Sequence, residues 1–342
     1  MQKVFIATRM ETNELQPLFF KHIKSVLPAN LSFVDDIAEA LNISNDSAYR
    51  RIRGEKALTF DEIKTLCLRY RISLDQIMHI DSDSTVFHGR NLDTEHFDFK
   101  HYLDEILASL KMINGAKAKK MYYEAKDIPI FHHFQFPELA TFKYFYWMKS
   151  VMYYPEYSKM HFEDNQLTDM FQKMGKEISA LYTKVPSAEI WIAETLNATL
   201  RQIEYYNDAG VFRKKETIAM LYDQLTTLVL HIQEQAEHGE KFSVGGKPTG
   251  NGGSYELYYN EVYLGHNSIV VETDGVQTAY INHAVMNFMF THDPSFCHYT
   301  KRSIENNMKK SVLISSVGEK ERSKFFNILM NNIALSKDKV LR

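Results

Sequence analysis

Basic side chains are concentrated in one short segment, residues 44–56. Four basic residues stand there against two acidic ones, a balance of +2 in a chain whose formal net charge is −3. Arginine can fork onto the major-groove edge of guanine or clamp a phosphate, asparagine can pair with adenine, and a tyrosine hydroxyl can donate to a phosphate. The residues that we predict to contact double-stranded DNA are Ser44, Asn45, Ser47, Tyr49, Arg50, Arg51, Arg53 and Lys56.

Two pairs of histidines are the residues that would suggest a metal site. His132 and His133 are adjacent, so one helix cannot direct both side chains at a single ion, and no cysteine or carboxylate stands nearby at a ligand spacing. His96 and His101 form the other pair. We therefore expect no bound metal.

A glycine-rich stretch, residues 245–253, is the candidate for holding a phosphate group. A phosphate-binding loop needs Gly-Lys followed by Ser or Thr at the start of a helix. Here Pro248 follows Lys247, and a strand is predicted after the loop. We expect a flexible connector over residues 243–254 and no cofactor.

Three histidines and an aspartate near the C-terminus are the candidates for acid–base catalysis: His283, His292, Asp293 and His298. No nucleophile-elbow sequence or other reaction-specific pattern accompanies them. The His-Asp-Pro run at 292–294 indicates a helix end and a turn instead. We expect no enzymatic activity.

Short helices are predicted throughout residues 1–80, separated by residues that cap helix ends. The first has apolar residues at three- and four-residue spacing from Leu15 to Val26. Ser32 and Ser44 are placed to cap the second and third helices. Capping boxes at 59–62 and 73–76 are placed to begin the fourth and fifth helices. In a capping box, the hydroxyl of the first residue accepts one backbone N–H, and the side chain of the last residue accepts the N–H of the first. These elements predict a compact five-helix bundle.

One stretch of this bundle has the composition that a tight turn between crossing helices requires. Ala38 leaves room for a close approach, and Asn42 is the non-glycine residue best suited to a left-handed turn. In the helix that follows, residues 44–53, Ala48 faces inward and Gly54 ends the helix. The outward face then carries the predicted DNA contacts.

This arrangement resembles the phage-repressor (Xre-like) helix-turn-helix family over residues 15–80. The match consists of the small residue, the turn residue and the capping serine, with the Arg-Gly stop at 53–54 and the closing run at 72–77. The family places an apolar anchor where Arg51 stands here. We therefore expect that anchor at Ile52, with Tyr49 packing beside it.

The resemblance implies a transcription regulator that binds DNA through the helix at 44–53. One such module buries little DNA surface, so specific binding normally needs a two-fold dimer that spans two half-sites. We therefore expect a homodimer held together by the later part of the chain. The alternative is a protein–protein interaction or scaffold protein that uses the helical bundle without binding DNA.

The sequence predicts a multidomain, mainly α fold in which the helix-turn-helix bundle (1–80) is followed by three further regions. These are a linker at 81–96, a helical effector or dimerisation region at 97–242, and an α+β region with a small sheet at 243–342. Apolar stripes at 190–203 and 218–232 predict helices in the helical region. In the last region we predict strands at 255–264, 268–281 and 311–316, an Asp-Gly turn at 274–275, and helices at 283–291, 300–309 and 318–333.

Aromatic residues cluster between residues 97 and 162. Such a cluster suits a hydrophobic core and a dimer interface. It also suits a pocket for a flat or apolar ligand, in which case an effector, either a small molecule or a peptide, would bind there.

Length and composition set the remaining expectations. The 342 residues, of which 44% are hydrophobic and 24% charged, fit two or three globular domains. Cys67 and Cys297 cannot form a disulfide framework and are expected to be free thiols in a reducing compartment. The N-terminal residues lack the apolar stretch of a signal peptide, and no run approaches the roughly 18 apolar residues of a membrane span. We expect a soluble, cytoplasmic protein without a membrane partner.

Overall fold

The computed structural model describes residues 15–27, 32–70, 72, 74, 85–89, 99–165, 169–261 and 264–342. The chain forms two compact units, residues 1–86 and residues 87–342. The fold is mixed, with helices in both units and a seven-stranded sheet in the second. The linker expected at 81–96 is described only at residues 85–89.

The first unit is built from short helices whose ends are set by capping residues. Ser44 caps α3 by accepting a hydrogen bond from the Ser47 N–H, as predicted, whereas the side chain of Ser32 makes no such bond at the start of α2. The capping box is also confirmed: the Thr59 N–H donates to Glu62 (2.9 Å) and the Glu62 N–H donates to the Thr59 hydroxyl (3.2 Å). The helices are α1 (Leu15–Val26), α2 (Phe33–Leu41), α3 (Asn45–Ile52) and α4 (Phe60–Tyr70).

The apolar faces of these helices form one small core. It contains residues from all four helices and from the chain after α4, namely Phe19, Phe20, Ile23, Ile37, Ala38, Ala48, Leu66 and Ile72. The fifth helix expected from the capping box at 73–76 lies outside the described residues, apart from Leu74, which packs against this core.

The second unit is organised around the sheet, whose strand order is β6-β5-β4-β1-β2-β3-β7. The three strands β1, β2 and β3 run parallel to one another, and the remaining neighbours pair antiparallel. The strands are β1 (Lys119–Ala125), β2 (Ser187–Trp191), β3 (Tyr255–Tyr259), β4 (Ser268–Thr273), β5 (Val276–Ala284), β6 (Asn287–Thr291) and β7 (Val312–Leu313).

Helices and helical turns connect the strands and cover the sheet. Parallel neighbours need long crossover connections, and the segments between β1, β2 and β3 accordingly contain most of the helices. The helices are α5 (Phe99–Gly115), α6 (Ile130–His133), α7 (Pro137–Tyr146), α8 (Asp169–Tyr182), α9 (Asn197–Asp208), α10 (Lys215–His238), α11 (Pro294–Lys309) and α12 (Glu319–Leu341).

The two faces of the sheet pack against different cores. Alternate residues of the central strands, such as Tyr123 and Trp191, belong to the larger core, which includes most of the helices. Their neighbours, such as Ile190, belong to a smaller core that is completed by Cys297 and Ile304 of α11. Every residue of β2 is therefore buried.

The prediction of a helical region at 97–242 is only partly right. It contains β1 and β2, which lie in the middle of the sheet, so the boundary expected at 242/243 does not separate two compact units. The apolar residues of 190–203, assigned to one helix, are divided between β2, a 3-10 turn (Ala193–Leu196) and α9. The stripe at 218–232 does lie on one helix, α10, with its apolar residues buried.

Several elements of the C-terminal region match the predictions. Asp274 and Gly275 form the hairpin turn between β4 and β5, both with positive φ. The helix expected at 300–309 lies within α11, and the one expected at 318–333 corresponds to the first part of α12. The helix expected at 283–291 is wrong, because this segment ends β5 and forms β6. The strand expected at 311–316 is limited to β7, at the edge of the sheet.

The aromatic cluster between residues 97 and 162 is mainly core. The buried members are Phe99, Tyr123, Phe134, Phe136, Phe142, Tyr144, Phe145, Trp147 and Phe162. Tyr153 is an exception, as it is exposed and has positive φ.

Candidate nucleic-acid interface

The turn between α2 and α3 has the left-handed conformation that its sequence predicts. Asn42 has φ 51° and ψ 50°, and its N–H donates to the carbonyl of Glu39. The N–H of Ile43 donates to the carbonyl of Ala38 at 2.9 Å, which closes the end of α2. Ala38 of α2 and Ala48 of α3 are both buried, so small side chains stand where these helices join the core.

The outward face of α3 ends in two exposed arginines. The side chain of Arg50 is 57% exposed and that of Arg53 is 66% exposed. The guanidinium of Arg53 lies over the ring of Tyr49, 5.5 Å from its centroid. Lys56 is exposed just beyond the helix. These four predicted contacts are therefore gathered at the C-terminal end of α3.

The other predicted contacts lie at the first turn of α3 and already have partners within the protein. The amide nitrogen of Asn45 donates to Asp35 at 2.7 Å. The Ser44 hydroxyl accepts the Ser47 N–H and donates to the Ser47 hydroxyl, so both serines belong to the helix cap. Ser44 and Asn45 remain exposed, and Ser47 is half-buried.

Arg51 does not lie on the exposed face, so the prediction that it contacts DNA is wrong. Its side chain is 5% exposed and donates to Glu62 through Nη2 (2.6 Å) and Nε (3.0 Å), and to the Ser47 carbonyl through Nη1 (3.1 Å). This hydrogen bonding lowers the pKa of Glu62 below its usual value, against the opposing effect of burial. Ile52 is half-buried and Tyr49 is exposed, so the inward position belongs to Arg51 instead of Tyr49.

Further contacts fix α3 against the other helices. The side chain of Gln16 on α1 donates to the carbonyls of Arg51 (2.6 Å) and Lys56 (2.8 Å) and accepts the Leu58 N–H. The segment that follows α3 is thus held by one glutamine. Such contacts orient the exposed arginines without using their own side chains.

The charge on the outward face is smaller than the sequence suggests. Because Arg51 is paired with Glu62, the exposed cations are Arg50, Arg53 and Lys56. Glu55 lies 4.0 Å from Arg50 and 3.6 Å from Arg53. An exposed carboxylate at this place repels phosphate and competes for both guanidinium groups. The face can still present two planar forks that suit phosphate or guanine.

A buried polar cluster in the second unit was not found from the sequence. Its centre is the carboxylate of Glu189 on β2, which accepts hydrogen bonds from Trp191 Nε1 (2.8 Å), the Tyr255 hydroxyl (3.1 Å) and the Tyr182 hydroxyl. His132 Nε2 lies 3.2 Å from both of its oxygens. Each of these side chains is at most 2% exposed. A lone acidic residue in a strand of otherwise uncharged residues was the signal that could have revealed it.

Two buried lysines lie in the same core. Lys241 Nζ is 3.7 Å from the centroid of the Tyr182 ring, and Lys143 Nζ donates to Gln202 Oε1 at 2.8 Å. Burial lowers the pKa of each lysine to about 7. Burial raises the pKa of Glu189, but the attraction and hydrogen bond of His132, the charge of Lys241 and the hydrogen bond of Tyr182 together outweigh it and lower the pKa to about 2. The cluster ties α6, α8, β2 and β3 together.

The adjacent histidines of α6 have separate partners. His132 faces Glu189, whereas His133 Nε2 lies 3.4 Å from the Thr199 hydroxyl. Burial first, and then the charge of Lys143, lowers the pKa of His133 well below its usual value. Over the described residues, no group of three or more His, Cys, Asp or Glu side chains is placed to hold a metal ion. His96 lies outside the described residues.

The C-terminal acid–base candidates are not brought together. His283 is exposed on β5, and His292 Nδ1 lies 3.0 Å from the Thr278 hydroxyl. Asp293 caps the start of α11 by accepting the Phe296 N–H, so the predicted helix end is a helix start. His298 is exposed and lines a groove of about 440 Å³ on α11.

The backbone amides of the glycine-rich loop are occupied by a side chain of the same chain. The carboxylate of Glu240 accepts the N–H groups of Thr249 (3.3 Å), Gly250 (3.0 Å) and Gly252 (2.7 Å). This part of the connector expected at 243–254 is therefore anchored to Glu240, which follows α10 and Gly239. Three amides of the loop are thus bound to Glu240.

Among the described helices, none has an apolar stretch of the length needed to cross a membrane.

Comparison with known proteins adds no family to these observations. The chain matches no protein-family model, no curated protein and no solved structure.

Proposed function

We propose that the chain is a cytoplasmic DNA-binding transcription regulator. Its first unit is a helix-turn-helix module, and its second unit is an effector-sensing or oligomerisation domain. The recognition helix is α3, and the residues that contact DNA are Ser44, Asn45, Ser47, Tyr49, Arg50, Arg53 and Lys56.

The observation that carries the proposal is the exposure of Arg50 on α3 and of Arg53 at its C-terminal end, on a short helix that follows a left-handed turn at Asn42. A helix enters the major groove only if its outward side chains are free of the protein body. The guanidinium groups then reach guanine edges or phosphates. Arg51 acts as a positioning residue, since its pairing with Glu62 holds α3 against α4.

A homodimer completes the proposal. A single helix of eight residues contacts few bases, so specific binding requires two such helices about 34 Å apart, one for each half-site. The second unit holds the two protomers together. An effector changes the affinity for DNA only if it binds one arrangement of the two α3 helices more tightly than another. By linkage, DNA then changes the affinity for the effector by the same factor.

Selection from a pool of randomised duplexes tests the proposal. The intact protein is expected to enrich sequences that contain two related half-sites. The variant Arg50→Ala/Arg53→Ala keeps the buried contacts of α3 and should show no enrichment, and Arg50→Ala alone should cost about 1–3 kcal/mol of binding if this residue reads a base. Equal enrichment by both proteins would overturn the assignment of α3.

The alternative, a protein-interaction module, is favoured by one feature of α4. Phe60 is 88% exposed and Leu68 is 70% exposed, and they lie eight residues apart, close to the same side of that helix. Such residues are typical of protein contacts. If Phe60→Ser/Leu68→Ser abolishes capture of a partner while Arg50→Ala/Arg53→Ala does not, the first unit is an interaction module.

A further inference from the structure

The second unit begins with a short segment that is bound to the edge of its sheet. We propose that this segment, residues 87–89 and here named the strap, is a releasable strand that sets how far the first unit can reach. The regulatory part of this inference rests on the proposed function, whereas the docking of the strap does not.

Two backbone hydrogen bonds attach the strap to β6, the outermost strand on its side of the sheet. The His88 N–H donates to the carbonyl of Phe290 at 2.7 Å, and the Phe290 N–H donates to the carbonyl of His88 at 2.8 Å. This is a single antiparallel bridge. It covers one residue of an edge strand whose outward N–H and C=O groups can otherwise pair with any extended chain.

Side chains make the docking specific for this register. Phe87 meets the ring of Phe296 on α11 edge to face, with 4.9 Å between the centroids. The imidazole of His88 stacks on the ring of Phe290 at 5.2 Å.

Position 89 requires a glycine because the backbone there lies close to Met289 of β6. A Cβ added at Gly89 would lie 2.8 Å from Cγ and 3.5 Å from Cβ of Met289. Because Cγ is close to the backbone of Met289, little of that side chain is free to move aside. A larger residue at position 89 therefore opposes docking.

The backbone pairing of the strap is short enough to be reversible. The strap pairs with β6 at one position, whereas β5 pairs with β4 at six positions. Parts of a protein with few buried contacts open at lower free energy than its core. The strap should therefore detach from β6 at a lower free energy than β5 detaches from β4.

Detachment lengthens the connection between the units. With the strap docked, Phe87 is the first residue held by the second unit. The next described residue is Phe99 on α5, which lies 12 positions later and is buried in the large core. At about 3.3–3.6 Å per residue, 12 residues span at most about 43 Å, which bounds how far a released Phe87 can move from Phe99. This is similar to the roughly 34 Å between half-sites on one face of DNA. In the proposed dimer, a docked strap restricts the distance between the two α3 helices. A released strap permits a wider range of distances between them.

Three variants of the full-length protein test the inference. Gly89→Ala places a methyl group against Met289 and should release the strap, and Gly89→Ala/Met289→Ala should allow it to dock again. His88→Pro removes the N–H of the bridge and should release it by another route. The matched control is Gly115→Ala, because a Cβ at Gly115 would meet no atom within 4 Å.

Hydrogen exchange at the Phe290 amide reports docking without DNA. We expect it to be at least about tenfold faster in Gly89→Ala and His88→Pro than in the wild type, and to return toward the wild-type rate in the double variant. The control should exchange like the wild type. An equal rate in the wild type and His88→Pro would overturn the docking of the strap.

The range of distances that the first unit can take from the second is measured by energy transfer between two fluorescent amino acids. They replace Lys64 on α4 and Lys324 on α12, which are both exposed. The distance distribution should broaden in Gly89→Ala and His88→Pro. Unchanged distributions alongside faster exchange would overturn the role of the strap in reach.

Binding to DNA duplexes with half-sites at different spacings then tests the regulatory part. Released variants should tolerate more spacings than the wild type, and identical tolerance would overturn this part. If no variant binds DNA while exchange and distance respond as expected, the proposed function fails and the strap remains.

Discussion

The guanidinium of Arg51 and the carboxylate of Glu62 form a pair that joins α3 to α4, with 2.6 Å between Nη2 and Oε1. The second carboxylate oxygen of Glu62 accepts the Thr59 N–H, so one side chain caps α4 and anchors α3. The pair therefore fixes the direction in which Arg50 and Arg53 project. A residue that looks like a DNA contact in the sequence instead positions its neighbours.

Replacing Arg51 should lower stability, with any loss of DNA affinity following from that. Arg51→Ala leaves the largely buried carboxylate of Glu62 without its charge partner, with only the Thr59 N–H still bound to it, which should cost on the order of 1–3 kcal/mol. The matched substitution Arg50→Ala, at an exposed position, should change stability by less than about 0.5 kcal/mol. Hydrogen exchange at the amides of Ile37 and Leu66, in the core of the first unit, measures both. Equal effects of the two substitutions would contradict the buried pair.

The turn at Asn42 should tolerate glycine better than alanine. A Cβ-bearing residue without a local hydrogen-bonding side chain costs about 1–2 kcal/mol in the left-handed region, and glycine has no such penalty. Asn42→Ala should therefore destabilise the first unit by about 1 kcal/mol, and Asn42→Gly should leave it unchanged or slightly more stable. The same exchange measurement distinguishes them, and a more stable alanine variant would show that Asn42 does not adopt positive φ.

Removing the charge of Glu55 should strengthen DNA binding. This carboxylate lies within 4.0 Å of both Arg50 and Arg53, so Glu55→Gln frees the two guanidinium groups and removes repulsion from phosphate. The expected gain is several-fold at low salt and smaller at high salt, since salt screens exposed charges. Glu319→Gln, at an exposed position in the second unit, is the control. Weaker binding by Glu55→Gln would place this residue in contact with a base instead.

Lys143 should make the stability of the second unit depend on pH. Its pKa is about 7 in the folded protein against an ordinary value of 10.5, because burial disfavours the charge. Between these two values the unfolded chain binds more protons, so the free energy of unfolding rises with pH. From pH 7 to pH 9 the contribution of one such lysine is on the order of 2 kcal/mol.

The comparison of Lys143→Met with the wild type isolates this effect. Denaturant unfolding can be followed by the fluorescence of Trp147 and Trp191, which are both buried in the second unit. The variant should lack the part of the pH dependence that belongs to Lys143, whereas Lys176→Met, at an exposed position on α8, should keep it. Identical pH dependence in all three proteins would mean that Lys143 has an ordinary pKa in the fold.

Local patterns were sufficient to predict most of the first unit. Ser44, Thr59 and Glu62 cap helices through contacts within a few residues, and Asn42 determines its turn by its own conformational preference. The orientation of Arg51 was not predictable in this way. A charged residue turns inward only if a partner is available, and Glu62 is 11 positions away on another helix.

The central strands β1 and β2 were the part that local patterns missed. β2 is buried on both faces, so it lacks the alternation of apolar and polar residues that marks a strand. Its neighbours β1 and β3 are each more than 60 positions away in the sequence, and nothing local indicates this pairing. The cluster around Glu189 depends on the same long-range contacts. By contrast, the Asp274–Gly275 hairpin is local and was predicted.

The salt dependence of duplex binding tests the central claim most directly. Affinity is measured between about 50 and 200 mM salt for the wild type and for Arg53→Ala, with Lys324→Ala of α12 as the control. A DNA-reading α3 predicts binding at low salt that falls steeply as salt rises, and a slope of log affinity against log salt that is shallower by about 0.9 in Arg53→Ala if Arg53 contacts a phosphate. The control should keep the wild-type slope. An absence of binding at 50 mM salt, or equal slopes and affinities in all three proteins, would contradict the account.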